Sequence, residues 1–347
     1  VSWITRDSFP SGRAAKGLLL ITPEADVVIP LSAADRAAAL ELTAETLKAA
    51  GLGSGDRVVV ALNNDGELTG SSIAEAALTV AAAVSSVGPR GRLRLHQALE
   101  TVRADVLVTT PGGAMDFLAR LHLEFLLDPL DLELKTIFLV GEIPSQNVVR
   151  QLEAEFEAKV VQLFADPFFG IPIAYGPALT PVREGLLGLA PLDKDVIVTE
   201  PDGLAELVVT PTWHSTLGGA MLRTGFVVRD GLPGGPAHTV GEHILVRGRW
   251  LSVPKITSAL SRIDGISHWE LKVSREGTLD KAVLQVTFKR DTLVKNPMWK
   301  GRISQALVAL NPVSIEVAVV PEASEEVRPP TVTDLRGHHL GRNRTEV

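Results

Sequence analysis

The chain has 347 residues, 45% apolar and 22% charged, with a net charge of −7. That composition fits a folded protein of about two domains and supplies no basic field for nucleic acid. The absence of cysteine excludes disulfides, thiolate zinc sites and thiol nucleophiles, and no stretch reaches the roughly 18 uninterrupted apolar residues of a membrane span.

The sequence opens Val1-Ser2-Trp3 without an initiator Met or a basic–apolar–small leader. That suggests a start within a longer gene product, and a cytoplasmic setting. Ser11 to Gly17 forms a small-residue turn carrying Arg13 and Lys16. Residues 32–50 predict the first long helix, with Ser32 as N-cap and Gly51 just past its end. Arg57–Leu62 is β-branched and reads as a buried strand. A helix over 71–86 and another over 93–103 follow, then a strand at Asp105–Thr109. A helix over 114–126, a strand at Thr136–Val140, a helix over 145–157 and a strand over 159–164 complete the series. Short apolar strands alternating with helices imply a mostly parallel sheet covered on both faces.

Past residue 165 Pro and Gly become frequent, and Leu204–Thr210 and Phe226–Arg229 read as antiparallel strands. From Gly241 the texture changes again. A strand (His243–Val246), a helix (Val253–Ile263), two strands (His268–Val273 and Ala282–Phe288), a helix (Met298–Leu310) and a strand (Ser314–Val319) give the order β-α-β-β-α-β of a ferredoxin-like unit. Beyond Pro321 the charged, Pro-rich chain predicts a flexible or ligand-dependent tail. The expected architecture is therefore a large N-terminal α/β domain (1–240) with a small antiparallel part, a hinge (241–248), and a small ferredoxin-like α+β domain (249–347). The basic clusters at Arg90–Arg94 and Arg247–Arg249 read as solvated loops. His238, Glu242 and His243 match no common metal-site spacing, and Asn343–Thr345 is a sequon without a secretory context.

Several segments, in order and at the right spacing, resemble the adenylate-forming ligases, and within them the phenylacetate–CoA ligase branch. They are Leu47–Val58, Asp105–Pro111, Phe138–Ser145, Asp202–Thr210, and Leu245–Gly248 followed by Val253–Ile256 and Ile263–Ile266. The resemblance spans most of residues 5–336. It implies activation of a small carboxylic acid with ATP and Mg²⁺, followed by transfer to CoA or a carrier protein, with the two domains rotating between half-reactions.

Carried over position by position, the resemblance assigns the following roles. Ser11, Gly12 and Lys16 stand in the phosphate loop, which lacks both threonines and the second glycine of the family. In the segment Phe164–Gly170 no glutamate stands where a Mg²⁺-binding one is expected; Asp166 substitutes for it only if the loop is re-registered, and Phe168 can stack on a ring or fill core. Arg223 and Thr224 keep two positions of the ribose-binding motif, but Phe226 stands where the family has the ribose-binding aspartate. A phenyl ring accepts no hydrogen bond from a hydroxyl. Glu242, Arg247 and Gly248 occupy the hinge. Arg328, counted back from Asp334-Leu335-Arg336, takes the place of the catalytic lysine, with a different shape and reach. Gly141 and Glu142 sit at a strand end that would face the acyl pocket, with Glu142 alternatively capping the next helix. Two readings stand side by side. One is a divergent acid–thiol ligase; the other is a catalytically impaired relative that binds an acid, an acyl thioester, a nucleotide or a protein partner.

Overall fold

The computed structural model describes residues 2–12, 15–21, 27–64, 69–89, 91–229, 231–232, 235–308, 310 and 313–347; Arg13 and Arg90 lie outside them. The chain divides into two compact units, Val1–Ala237 and His238–Val347.

In the first unit, β1 (Trp3–Ile4), β2 (Leu18–Ile21) and β3 (Val28–Leu31) precede α1 (Ala33–Ala49). The helix starts where the sequence places it, because Ser32 and Asp35 form a reciprocal cap. Ser32 Oγ accepts from the Asp35 N–H at 3.1 Å, and Asp35 Oδ2 accepts from the Ser32 N–H at 2.8 Å. It ends at Gly51, whose φ of +112° a side chain would resist. Then come β4 (Arg57–Val60), α2 (Thr69–Leu78), β5 (Ala83–Ser86), α3 (Arg92–Val102), β6 (Val106–Thr109), α4 (Pro111–Arg120), β7 (Thr136–Val140), α5 (Gln146–Phe156) and β8 (Lys159–Ala165).

Strands β5, β4, β6, β7 and β8 lie parallel in that order, and β9 (Pro172–Tyr175) and β10 (Thr180–Pro181) extend the sheet antiparallel. Successive side chains on a strand point to opposite faces. Val59, Leu107, Ile137 and Leu139 therefore pack on one side with Leu95, Phe117 and Phe156, whereas Val58, Val60, Val108 and Phe138 pack on the other with Leu47 and Ile73. Burying each such side chain stabilises the fold by about 1.5–3 kcal/mol, so the alternation holds helices to both faces.

Two helix boundaries differ from the sequence reading. The predicted helix over 71–86 stops at Leu78, and Ala83–Ser86 is the edge strand paired with β4, Val84 opposite Val58. The Thr79 and Val80 N–H groups donate to Ala76 and Ala77, three residues back, tightening the helix into a turn there. The predicted helix over 114–126 begins at Pro111, with Thr110 Oγ1 accepting from the Gly113 N–H at 3.0 Å, and widens into a π turn at Leu121–Phe125. A small antiparallel sheet follows as expected. In it β11 (Leu187–Pro191), β12 (Leu204–Val209) and β13 (Met221–Arg229) pair in sequence, and β1 adds parallel to β13.

The second unit is α+β. After β14 (His238–Thr239), β15 (His243–Val246) and β16 (Arg249–Ser252) form a hairpin. Then come α6 (Val253–Leu260), β17 (Ile266–Glu276), β18 (Leu279–Phe288), α7 (Asp291–Val294), α8 (Met298–Val308), β19 (Ile315–Val319) and β20 (Thr331–Asp334). The four-stranded sheet runs β19-β18-β17-β20 over a core that includes Ile256, Leu271, Leu284, Phe288, Ile303 and Val317. Relative to the predicted β-α-β-β-α-β order, two strands change place. His243–Val246 belongs to the hairpin, and the sheet's fourth strand is Thr331–Asp334, parallel to β17, within the tail expected to be flexible.

Candidate functional site

The phosphate-loop candidates are tied to β3. Ser11 Oγ accepts from the Val28 N–H at 3.2 Å, and the Gly12 N–H donates to Val28 O at 2.7 Å. A Cβ on Gly12 would lie 2.6 Å from Pro30 Cδ, so the glycine allows close approach to β3. Two of the loop's backbone donors, those of Gly12 and Ala15, are thus already engaged within the chain. Lys16 is exposed.

The turn after β8 holds the second group. Asp166 is fully buried; its Oδ1 accepts from the Phe168 N–H at 2.8 Å, while Oδ2 has no hydrogen-bond partner. Burial pushes its carboxyl up from 3.8 to about 7, against the pull of the backbone N–H groups of Phe168 and Phe169 and the charge of Arg6. Arg6 Nη2 donates to Pro167 O at 3.0 Å, and its guanidinium lies 5.2 Å from the Phe168 ring centre. Phe168 stacks on Phe9 at 5.2 Å and is buried. Phe169 packs edge-on against Trp213 at 4.8 Å and beside His214 at 5.2 Å.

His214 fastens this cluster to β3. Its Nε2 faces Pro30 O at 3.1 Å, and its Nδ1 faces the N–H groups of Thr216 and Leu217. A carbonyl only accepts and an N–H only donates, so the proton belongs on Nε2 and the ring is neutral; burial lowers its pKa accordingly. Asp35 links the same loop to α1, accepting from Ser215 N–H and Oγ at 2.7 and 2.9 Å. Burial raises its pKa, but the bonds from Ser32 and Ser215 bring it down to about 2.

The ribose-motif residues lie on β13. Arg223 is 5% exposed and makes four hydrogen bonds: Nη1 to Glu206 Oε2 at 2.7 Å, Nε to Asp195 Oδ1 at 2.9 Å, and Nη2 to Lys194 O at 2.6 Å and Pro191 O at 3.2 Å. Its guanidinium also lies 5.2 Å from the Trp3 ring centre. The other Glu206 oxygen accepts from the Gly225 N–H at 2.8 Å, where a bulge interrupts the register of β12 and β13. Thr224 Oγ1 donates to Leu207 O at 2.8 Å and accepts from the Phe226 N–H at 3.1 Å. Phe226 is buried, edge-on against Phe164 at 5.6 Å.

At the end of β7, Gly141 takes φ +88° and Glu142 reaches across to α4. Glu142 Oε2 accepts from the Gly112 N–H at 2.8 Å, placing a negative charge at the positive end of that helix. The cap of α5 is Ser145, not Glu142.

In the second unit Arg328 borders a cleft of about 250 Å³ together with Lys289, His268, Asp264 and Ser261. Its side chain is 60% exposed and pairs with Glu326 at 2.5 Å, which raises its pKa. Of the hinge candidates, Glu242 Oε2 accepts from Arg342 Nε at 2.8 Å. Arg247 and Gly248, with φ of +51° and +72°, are the two central residues of the β15–β16 turn. Arg247 also donates from Nε to Asp280 O at 2.5 Å.

These arrangements bring together Asp166 and Phe168, and separately Arg223, Thr224 and Phe226. They do not fit ATP–Mg²⁺ in the manner the resemblance implies. The position the resemblance assigns to the ribose-binding aspartate holds a buried phenyl ring, Arg223 already donates to four protein acceptors, and Asp166 is sealed from solvent. Among the described residues no group of three His, Asp or Glu side chains is placed to hold a metal ion. Sequence reasoning missed Glu206 and Asp195 as partners of Arg223, and missed the Trp213–His214 pair. Glu206 lies within Asp202–Thr210, so its segment was visible but its burial was not.

No protein-family model and no curated protein sequence matches this chain. Solved structures do. A 2-hydroxyisobutyryl-CoA ligase in complex with 2-HIB-AMP and CoA superposes with a TM-score of 0.75 at 19% identity, over 89% of this chain and 71% of that one. The fold is shared with these ligases. A malonyl-CoA ligase with methylmalonyl-CoA and AMP bound gives a TM-score of 0.62 at 12% identity, over 85% and 68%. The amide bond synthetase McbA from Marinactinospora thermotolerans gives 0.65 at 15%, over 85% and 63%. No helix among the described residues is long and apolar enough to cross a membrane.

Proposed function

We propose that this chain uses the scaffold of an acid-activating ligase to bind a small carboxylic acid or its acyl thioester, and that ATP activation of the acid is impaired. The observation that carries this reading is Phe226, buried edge-on against Phe164 at the position where the sequence resemblance calls for an aspartate. The neighbours' ligands have three chemical parts: an acyl group, CoA and a nucleotide. Only the nucleotide depends on that aspartate. The phenylacetate–CoA ligase branch, supported by the spacing of segments such as Asp202–Thr210, points to an aryl or short-chain acid, and a carrier protein remains an alternative acceptor to CoA.

The test is ATP–pyrophosphate exchange with a panel of aryl and short-chain acids, alongside thermal shifts with ATP–Mg²⁺, CoA and acyl-CoA thioesters. The expected outcome is no exchange, no shift with ATP and a shift with one acyl thioester class. Exchange with any acid would overturn the reading.

A second reading, a divergent ligase, is supported by the exposure of Lys16 and Arg328. On that reading exchange occurs and Arg328→Ala diminishes it. A domain rotation between half-reactions belongs to this reading alone.

A further inference from the structure

Three stretches far apart in sequence meet at the start of β17. The turn Asp264–Ser267 leads from α6 into that strand. Gly265 folds it tightly at φ +92°, where a Cβ would lie 2.3 Å from Leu293 Cδ1. The Gly265 carbonyl accepts from the Lys289 N–H at 2.8 Å, just past the end of β18. The Ser267 carbonyl accepts from the Arg328 N–H at 3.1 Å, ahead of β20. Ser267 is the extra residue of a bulge, because Ile266 pairs with Phe288 and His268 with Thr287. Its hydroxyl donates to Thr287 O at 3.1 Å and holds the bulge in place. One short turn thus fixes the backbones of two cationic residues.

The cleft of about 250 Å³ opens beside this turn, within the second unit. Small-molecule sites begin at roughly 300 Å³, so the cleft suits a small ligand or a single headgroup. Its described lining carries two cations, Lys289 and Arg328, against one acid, Asp264. Lys289 is exposed, and its ammonium has no hydrogen-bond or ion-pair partner among the described residues. Arg328 pairs with Glu326, and both side chains are more than half exposed; a surface pair of that kind contributes little and gives way to a stronger acceptor. His268, also in the lining, keeps a buried Nδ1 that has no hydrogen-bond partner. A buried polar atom left so is costly, and the chain alone does not satisfy it.

We propose that this cleft binds the phosphoryl group of a small phosphate monoester, with Lys289 and Arg328 as its cationic clamp and His268 as a further donor. A phosphate monoester brings nearly two negative charges and three strong acceptor oxygens, one for each of the three side chains. A carboxylate brings one charge and two oxygens, and leaves one of the three without an acceptor. The alcohol part of the ester meets the rest of the lining. Asp264 accepts from a hydroxyl there, and so does Ser261 Oγ, whose own proton goes to Ser258 O at 2.9 Å. The site belongs to the second unit alone and does not depend on which ligand the first unit takes.

The experiment follows the phosphorus NMR line of glycerol 3-phosphate as the full chain is titrated in. The variants are Lys289→Ala, Arg328→Gln and, as a control outside the cleft, Lys300→Ala; all three positions are exposed, so each chain folds as the parent does. The expected result is saturable broadening with the parent, affinity lower by roughly tenfold or more in each cleft variant, and no change in Lys300→Ala. No saturable broadening with the parent overturns the proposal. Unchanged affinity in Lys289→Ala does the same, as does equal weakening in Lys300→Ala, which marks a diffuse charge effect. Acetate displacing the probe as well as inorganic phosphate does overturns the choice of a phosphoryl group. Displacement by CoA and not by dephospho-CoA traces the phosphate to the thioester carrier, and displacement by neither traces it to a free phosphate monoester; both support the site.

Discussion

Replacing Asp166 with Asn removes a buried ionisable group while keeping an acceptor for the Phe168 N–H. The carboxyl ionises near 3.8 in an unfolded chain and at about 7 in the fold. Between those values the native state holds a proton that the unfolded state has released, so stability falls as pH rises. The cost is absent below about pH 3.8 and complete above about pH 7. At 1.36 kcal/mol for each tenfold change, it reaches roughly 4 kcal/mol, of which about 2–3 kcal/mol accrues between pH 5 and pH 8. Urea unfolding of Asp166→Asn and the parent at pH 5, 6.5 and 8 measures it. The parent loses stability relative to the variant across the series. Parallel pH profiles would show that Asp166 is ionised in the fold and that burial does not govern it.

Arg223→Ala leaves the Glu206 carboxylate buried without its cation and costs about 3–5 kcal/mol of unfolding free energy. Combining Arg223→Met with Glu206→Gln, which keeps an acceptor for the Gly225 N–H, is milder than Arg223→Met alone, and urea melts rank the three. Asp35→Ala removes the reciprocal cap of α1 and two bonds from Ser215, lowering stability by about 2–4 kcal/mol. Because the fold lowers the Asp35 pKa to about 2, its contribution is present above pH 4 and is lost as pH falls through 2; acid titration of the parent and variant separates the two.

Much of the frame was legible because it is written locally. Ser32 and Gly51 bracket α1, and the β-branched runs at Val58–Val60 and Val106–Val108 mark strands whose neighbours are fixed by short connections. The misread elements depend on distant partners. Ala83–Ser86 directly follows an Ala-rich helix and carries no strand signal longer than one Val, and its pairing with the edge of β4 makes it a strand. Thr331–Asp334 follows two prolines in a polar tail and becomes a strand because β17 leaves an edge open. The site divides the same way. Phe226 announces the loss of an acceptor from its type alone. The pairing of Arg223 does not, since it rests on Glu206 from another strand and Asp195 from a loop 28 residues away in sequence.

The phenyl ring at Phe226 has a pharmacological consequence. Non-hydrolysable acyl-adenylate mimics owe part of their grip to a carboxylate that receives the two ribose hydroxyls, a pairing of two charge-assisted hydrogen bonds. Under the proposed function, a cell extract dosed with such a mimic has its acid-activating ligases silenced while this chain still takes up its acyl ligand. That selectivity gives a way to read its contribution in a background crowded with proteins of the same fold.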